Sequence, residues 1–98
     1  MAFKPSDIVF QDLGNKGRYV HALDGREAEL TFTRAGDSRI IIDHTEVDPA
    51  FRGKGIGEAL VAHAVEEAKR QGLKVLPLCP FAAAQFRRHP EWQDVLAV

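Results

Sequence analysis

The first half of the chain alternates apolar and polar residues with a period of two. In EAELTFTR (27–34), Ala28, Leu30 and Phe32 fall on one side and Glu29, Thr31 and Thr33 on the other, the pattern of a strand with one buried face. DIVFQDL (7–13) and RYVHAL (18–23) read as two earlier strands parted by the turn-prone GNKG (14–17). Asp24-Gly25 is a two-residue hairpin signal, and AGDS (35–38) turns the chain again. Residues 39–48, RIIIDHTEVD, begin with three isoleucines, which predicts a central strand buried on both faces. Unbroken alternation puts Ile40, Ile42, His44 and Glu46 on one face and Ile41, Asp43, Thr45 and Val47 on the other. Asp48-Pro49 ends regular pairing.

The period then changes. Ile56, Leu60, Val61, Ala64, Val65 and Ala68 form a stripe at helical spacing, opposite Glu58, Ala62, Glu66, Lys69 and Arg70, and Gly72 stands where a helix would stop. LKVLPLC (73–79) reads as another buried strand. A helix between it and strand 39–48 predicts that the two lie parallel, in a right-handed crossover. A last helix starts near Pro80. The fold class is mixed α/β (α+β), a mostly antiparallel sheet with one parallel β-α-β crossover and a C-terminal helix.

The length of 98 residues allows one domain, residues 1–98, in which every element shares a core. A formal net charge of -1 supplies no broad pull toward nucleic acid or an anionic membrane. No stretch approaches the roughly 20 apolar residues of a spanning helix, and the N-terminus lacks the apolar core of a secretion signal. With Cys79 as the single thiol, no internal disulfide forms, and a reducing cytoplasmic setting is expected. His21, His63 and His89 show no metal-ligand spacing with one another or with Cys79, so no metal is expected. Nothing sets the oligomeric state, and a monomer is compatible with the composition.

The candidate chemistry lies in RGKGIG (52–57). Glycine weakens helix interiors, yet three glycines, at 53, 55 and 57, crowd the entrance of a helix. A strand, a glycine turn and a helix N-terminus present unpaired amides at the positive end of the helix dipole, an anion site to which Arg52 and Lys54 add cationic side chains. The mononucleotide phosphate loop needs glycine at 48 and a hydroxyl residue at 55, where Asp48 and Gly55 stand. The dinucleotide pattern needs glycine at 58, where Glu58 stands. Arg52, Gly55 and Gly57 instead satisfy Arg-x-x-Gly-x-Gly. Here the sequence resembles the GNAT superfamily of N-acetyltransferases, and HTEVDPAFRGKGIG (44–57), LCPF (78–81) and HPEW (89–92) resemble its small Yjdj-type domain.

The resemblance implies that Arg52, Gly53, Lys54, Gly55, Ile56 and Gly57 hold the pyrophosphate of acetyl-CoA or CoA, with no metal. It also implies that strands 39–48 and 73–79 splay, so that the backbone of Val47 meets the pantetheine arm. Pro77, which lacks a ladder donor, gives that splay a local cause or else marks an edge strand. Cys79, just before Pro80, is either a small buried hydrophobe or a thiol at a helix N-terminus, where the thiolate is favoured and could carry an acetyl group. His44 or Glu46, toward the end of strand 39–48, could accept a proton, or each is a hydrogen-bonded strand residue. Many relatives protonate the leaving thiolate with a tyrosine on the last helix, and Phe86 stands roughly there. The expected activity is acetyl transfer to an unidentified amine acceptor, the alternative a CoA-binding protein without turnover.

Overall fold

The computed structural model describes residues 7–97. Five strands, β1 (Val9–Leu13), β2 (Lys16–Leu23), β3 (Arg26–Ala35), β4 (Arg39–Val47) and β5 (Lys74–Pro77), form one sheet in the order β1-β2-β3-β4-β5. The first three pairings are antiparallel and β4 pairs with β5 in parallel. Two helices, α1 (Ile56–Gln71) and α2 (Pro80–Arg88), follow β4 and β5, and a 3-10 segment, Pro90–Val95, closes the chain. Mixed α/β class, hairpins and parallel crossover pairing all agree with the sequence pattern. The strand β4 is interior, as expected, but the middle of the sheet is β3.

Local chemistry explains most of the boundaries. Asp24 and Gly25 both take positive φ, 54° and 76°, the geometry that a two-residue hairpin turn demands and that aspartate and glycine tolerate. Gly72 ends α1 at φ 72°, its N–H returning to the carbonyls of Ala68 and Lys69. Pro80 opens α2, where a missing N–H is harmless.

One layer of core lies between the sheet and the helices. Leu60, Val61, Ala64 and Val65 of α1 are fully buried with Leu30, Ile42 and Val75 from three strands, and Phe86 and Trp92 of the C-terminal segment join the same cluster. The opposite face is open: Arg18 bonds Glu29 and Glu27 there, and Thr33 donates to Asp43. Ile41, which faces that side, is only half-buried. The expectation of burial on both faces of β4 is therefore corrected, because the described helices cover one face alone.

A second correction bears on function. Phe32 of β3 sits opposite Ile42, but Leu30, two residues away, sits opposite Thr45, three residues away, so β4 carries a bulge at Asp43. A bulge inserts one residue and reverses the facing of everything after it. Ile40, Ile42, Thr45 and Val47 consequently share the core side, while Ile41, Asp43, His44 and Glu46 face outward. Without the extra residue, Leu30 would oppose His44, and an imidazole would enter a core in which Leu30 has no exposed surface.

Candidate functional site

The parallel pairing of β4 with β5 stops at Ile42 and Pro77. The amides of Leu78 and Cys79 both reach back to the carbonyl of Ile42, at 3.2 and 3.1 Å, and the two strands then separate. From His44 to Val47, β4 pairs with β3 only. The Asp48 amide donates to Glu27 of β3 at 3.1 Å, so by antiparallel alternation the backbone groups of Thr45 and Val47 turn the other way, into the gap.

Beside that gap lies a cleft of about 540 Å³, lined by Thr45, Val47, Arg52, Gly53, Gly55 and Phe81 among others. Its floor is built by the turn into α1. Asp48 Oδ1 accepts from the Ala50 amide at 2.8 Å and starts a 3-10 turn, Pro49–Phe51, that buries Phe51. The amides of Arg52 and Lys54 are spent on the carbonyls of Pro49 and Phe51. Those of Gly53, Gly55, Ile56, Gly57 and Glu58 have no acceptor among the described residues, and no side chain caps α1. A 16-residue helix thus aims the positive end of its dipole into the cleft with its leading donors unused.

The three glycines divide by role. Gly53 and Gly55 have φ of 78° and 72°, and a Cβ at either would meet nothing within 4 Å. They keep the turn left-handed and its front open. Gly57 is buried, and a Cβ there would stand 3.0 Å from Phe81 Cζ and 3.2 Å from Val47 Cγ2. It lets α1 approach β4 and α2 closely, and in doing so forms a wall of the cleft. Arg52 and Ile56 also line it, whereas Lys54 occupies the same turn outside the lining.

Cys79 caps α2 from a site 6% exposed, with Sγ 3.7 Å from Thr45 Oγ1. Burial pushes its thiol up, but the Ala82 amide, the Thr45 hydroxyl and the amides of Phe81 and Thr45 outweigh burial and hold it below the ordinary cysteine range. The donors come from two elements, the leading turn of α2 and the end of β4. Phe81 and Ala82 are the thiol's neighbours in the sequence, whereas nothing around Thr45 marks it as one; Thr45 arrives only through the bulge.

His44 and Glu46 pair with each other on the open face, Nε2 to Oε2 at 3.4 Å, both more than half exposed. They flank Thr45 in sequence but point to the side of the sheet away from Cys79. Phe86 packs edge-on against Trp92 in the core, with ring centroids 5.2 Å apart. Tyr19, the single tyrosine, lies on β2 against His63. Among the described residues no three His, Cys, Asp or Glu side chains form a metal-holding group, and no helix is long and apolar enough to cross a membrane.

Replacing Thr45 with valine deletes one of the contacts that favour the thiolate. Because these contacts depress the folded-state pKa, their stabilisation is present above the unfolded pKa and is lost as pH falls through the folded one. In Thr45→Val the pH midpoint for alkylation of Cys79 by iodoacetamide is expected to move upward, with slower alkylation at neutral pH. An unchanged profile would show that the hydroxyl does not act on the thiol.

Comparison with known proteins supplies a family. A profile described as GCN5-related N-acetyl-transferase matches residues 18–95. The fold is similar to that of a GCN5-like candidate N-acetyltransferase from Staphylococcus aureus, at 29% identity and a TM-score of 0.68, covering 94% of this chain and 90% of that one. It is also similar to the ribosomal-protein-S18-alanine N-acetyltransferase from Escherichia coli, at 19% identity and a TM-score of 0.63, covering 80% of this chain and 53% of that one. An uncharacterized N-acetyltransferase of Methanocaldococcus jannaschii is 53% identical over 32 residues, 33% of this chain. The match spans only 14% of that archaeal relative. With the profile running from β2 to the closing 3-10 segment, the chain belongs to the GCN5-related N-acetyltransferase family.

Proposed function

We propose that the chain binds acetyl-CoA, the acyl donor of its family, with the diphosphate on the turn from Arg52 to Gly57 and the pantetheine arm along the free backbone edge at Val47. The observation that carries this reading is the uncapped start of α1, five amides without acceptors among the described residues behind two left-handed glycines, opening into a cleft beside a strand edge that β5 has left. The small Yjdj-type branch of the family is the subtype we favour, on the LCPF and HPEW stretches.

The proposed reaction is acetyl transfer to an amine, through Cys79. The thiolate attacks the thioester carbonyl carbon, the carbon–sulfur bond to CoA breaks, and CoA leaves as a thiolate that takes a proton from water. An amine then attacks the acetyl-cysteine carbonyl, the bond to Sγ breaks, and the proton released by nitrogen passes to water and through it to His44 or Glu46, which lie on the other face of β4. Those two residues would serve an acceptor that approaches the gap from the open face of the sheet. A cytoplasmic setting suits this chemistry, because it keeps the thiol reduced.

Thermal unfolding with and without ligand tests the binding step. At acetyl-CoA a hundredfold above its dissociation constant, binding contributes about 2.7 kcal/mol, a rise in Tm of roughly ten degrees or more for a domain of this size. No rise at millimolar ligand overturns the reading. A rise without any acetyl adduct or CoA release over a panel of amines would instead identify a CoA-binding protein without turnover.

A further inference from the structure

A second cavity, of about 280 Å³, lies at the other end of the sheet, between the C-terminal half of α1 and the inner face of β1–β3. Its apolar walls are Phe10, Phe32, Ile40 and Leu73. The rings of Phe10 and Phe32 close over Gly17, where a Cβ would lie 2.4 Å from Phe32 Cζ, so their position is fixed by the absence of a side chain. Ile40 precedes Thr45 by five residues of β4, which sets the cavity roughly 15 Å along the sheet from the thiol.

The polar side of this cavity is undercommitted. Tyr19 is 95% buried (5% exposed) and lines it. All three ring contacts of Tyr19, with Phe10, Phe32 and His63, are accounted for, yet its hydroxyl makes no hydrogen bond among the described residues. It is not sealed from access either, so the hydroxyl opens on the cavity. Its donor is therefore available to an occupant of the cavity. Burial first, then the Glu67 carboxylate, push its pKa up to about 12, so it keeps its proton and can only be offered as a neutral group.

The charges around it are unequally available. Glu67 is held by Arg70 through both Nε and Nη2. Arg34 spends Nη1 on the carbonyl of Gly14, at 2.6 Å, and on Lys16 and Asp12, and its Nε and Nη2 have no partner among the described residues. The unspent groups at the mouth include two donors, the tyrosine hydroxyl and one side of a guanidinium that already lies over the Phe32 ring, beside Gln71 and His63, which can each donate or accept. A single negative charge suits them better than a dianion, which would meet Glu67, or a cation, which would meet Arg34.

We propose that this cavity is a binding site for a small monocarboxylate with a ring-sized apolar body, its carboxylate taken by the Tyr19 hydroxyl and the Arg34 guanidinium and its body lying against Phe10, Phe32 and Leu73. The site is separate from the donor cleft and does not depend on it. Its volume, below that of pockets that hold drug-sized ligands, limits the occupant to about one ring and a short chain. The same helix, α1, contributes one wall of this cavity and the uncapped amides of the other.

Phenylacetate titrated into the full chain, followed by NMR, tests the assignment, with phenylacetamide and phenethylamine as controls. Phenylacetate is expected to shift Tyr19, Ile40 and His63 saturably and to bind at least tenfold more tightly than either control. Tyr19→Phe removes only the hydroxyl and should weaken binding by roughly tenfold, the loss of one hydrogen bond to a charged group. Ala68→Met fills the cavity from α1 and should abolish it. No saturable shift, equal binding of the amine, an unchanged affinity in Tyr19→Phe, or retained binding in Ala68→Met each overturns the proposal.

Discussion

Incubated with acetyl-CoA, the wild-type chain will gain one acetyl group that hydroxylamine removes, and Cys79→Ala will gain none. The expectation rests on where the thiol lies. Cys79 is the single cysteine, and the Thr45 hydroxyl beside its sulfur and the amides around it hold the thiol below the ordinary cysteine range in spite of burial. The thiolate is the reactive form, so a depressed pKa makes the nucleophile available at neutral pH. Deletion of a nucleophile through which the reaction must pass removes the reaction rather than slowing it. Alanine is close to cysteine in size, and the site is 6% exposed, so the fold should survive, which retained stabilisation by CoA would check. Intact-mass measurement reads the outcome directly. Persistence of an acetyl-enzyme in Cys79→Ala would move the acyl chemistry to another residue. A wild type that never becomes acetylated but still releases CoA to amines would point to direct transfer, with the base on the open face.

Gly55→Asn will weaken CoA binding by at least tenfold, about 1.4 kcal/mol, without unfolding the chain. The choice of asparagine follows from the backbone. At φ 72° most side chains are strained, by roughly 1–2 kcal/mol, whereas asparagine visits that region readily. Valine at the same position would mix strain with obstruction and leave the cause of any loss ambiguous. A Cβ at Gly55 meets nothing inside the protein within 4 Å, so the asparagine side chain extends into the space where a diphosphate would meet the amides. Gly36→Asn supplies the control, since Gly36 has φ 69° and equally open surroundings in the β3–β4 turn. Calorimetric titration of both variants with CoA separates the cases. Equal affinity in Gly55→Asn and Gly36→Asn would mean that the turn is shaped for packing alone.

These two expectations draw on different kinds of information. The glycine turn is visible in the sequence because its requirements are local: positive φ, an uncapped helix start and flanking cations all fall within six residues. The helix stripe from Ile56 to Ala68 is legible for the same reason, each of its six residues being buried in the structure, and so is the Asp24-Gly25 turn. Gly57 was less readable. Its neighbours, Phe81 and Val47, come from two other elements, so its packing role appears only when the elements meet.

The bulge at Asp43 shows where pattern reading stops. In RIIIDHTEV the polar residues after Ile42 alternate as plausibly with the extra residue as without it, and nothing local distinguishes the two registers. The decision belongs to β3. Leu30 and Phe32 must both face the core, and matching their two-residue step to three residues of β4 keeps His44 in water and turns Thr45 inward. That single shift separates His44 and Glu46 from the thiol and gives Cys79 its hydroxyl partner.

Short-range physics thus let the amino-acid order alone define the class of fold, the crossover helix and the glycine-lined turn ahead of it, because backbone conformation and side-chain periodicity are set by residues that are neighbours in the chain. Which face of β4 carries Thr45, what surrounds the sulfur of Cys79, and how Tyr19 comes to turn its hydroxyl to a cavity were settled by packing between elements far apart in the chain. A side chain's direction depends on strand register, and register is chosen by the core as a whole.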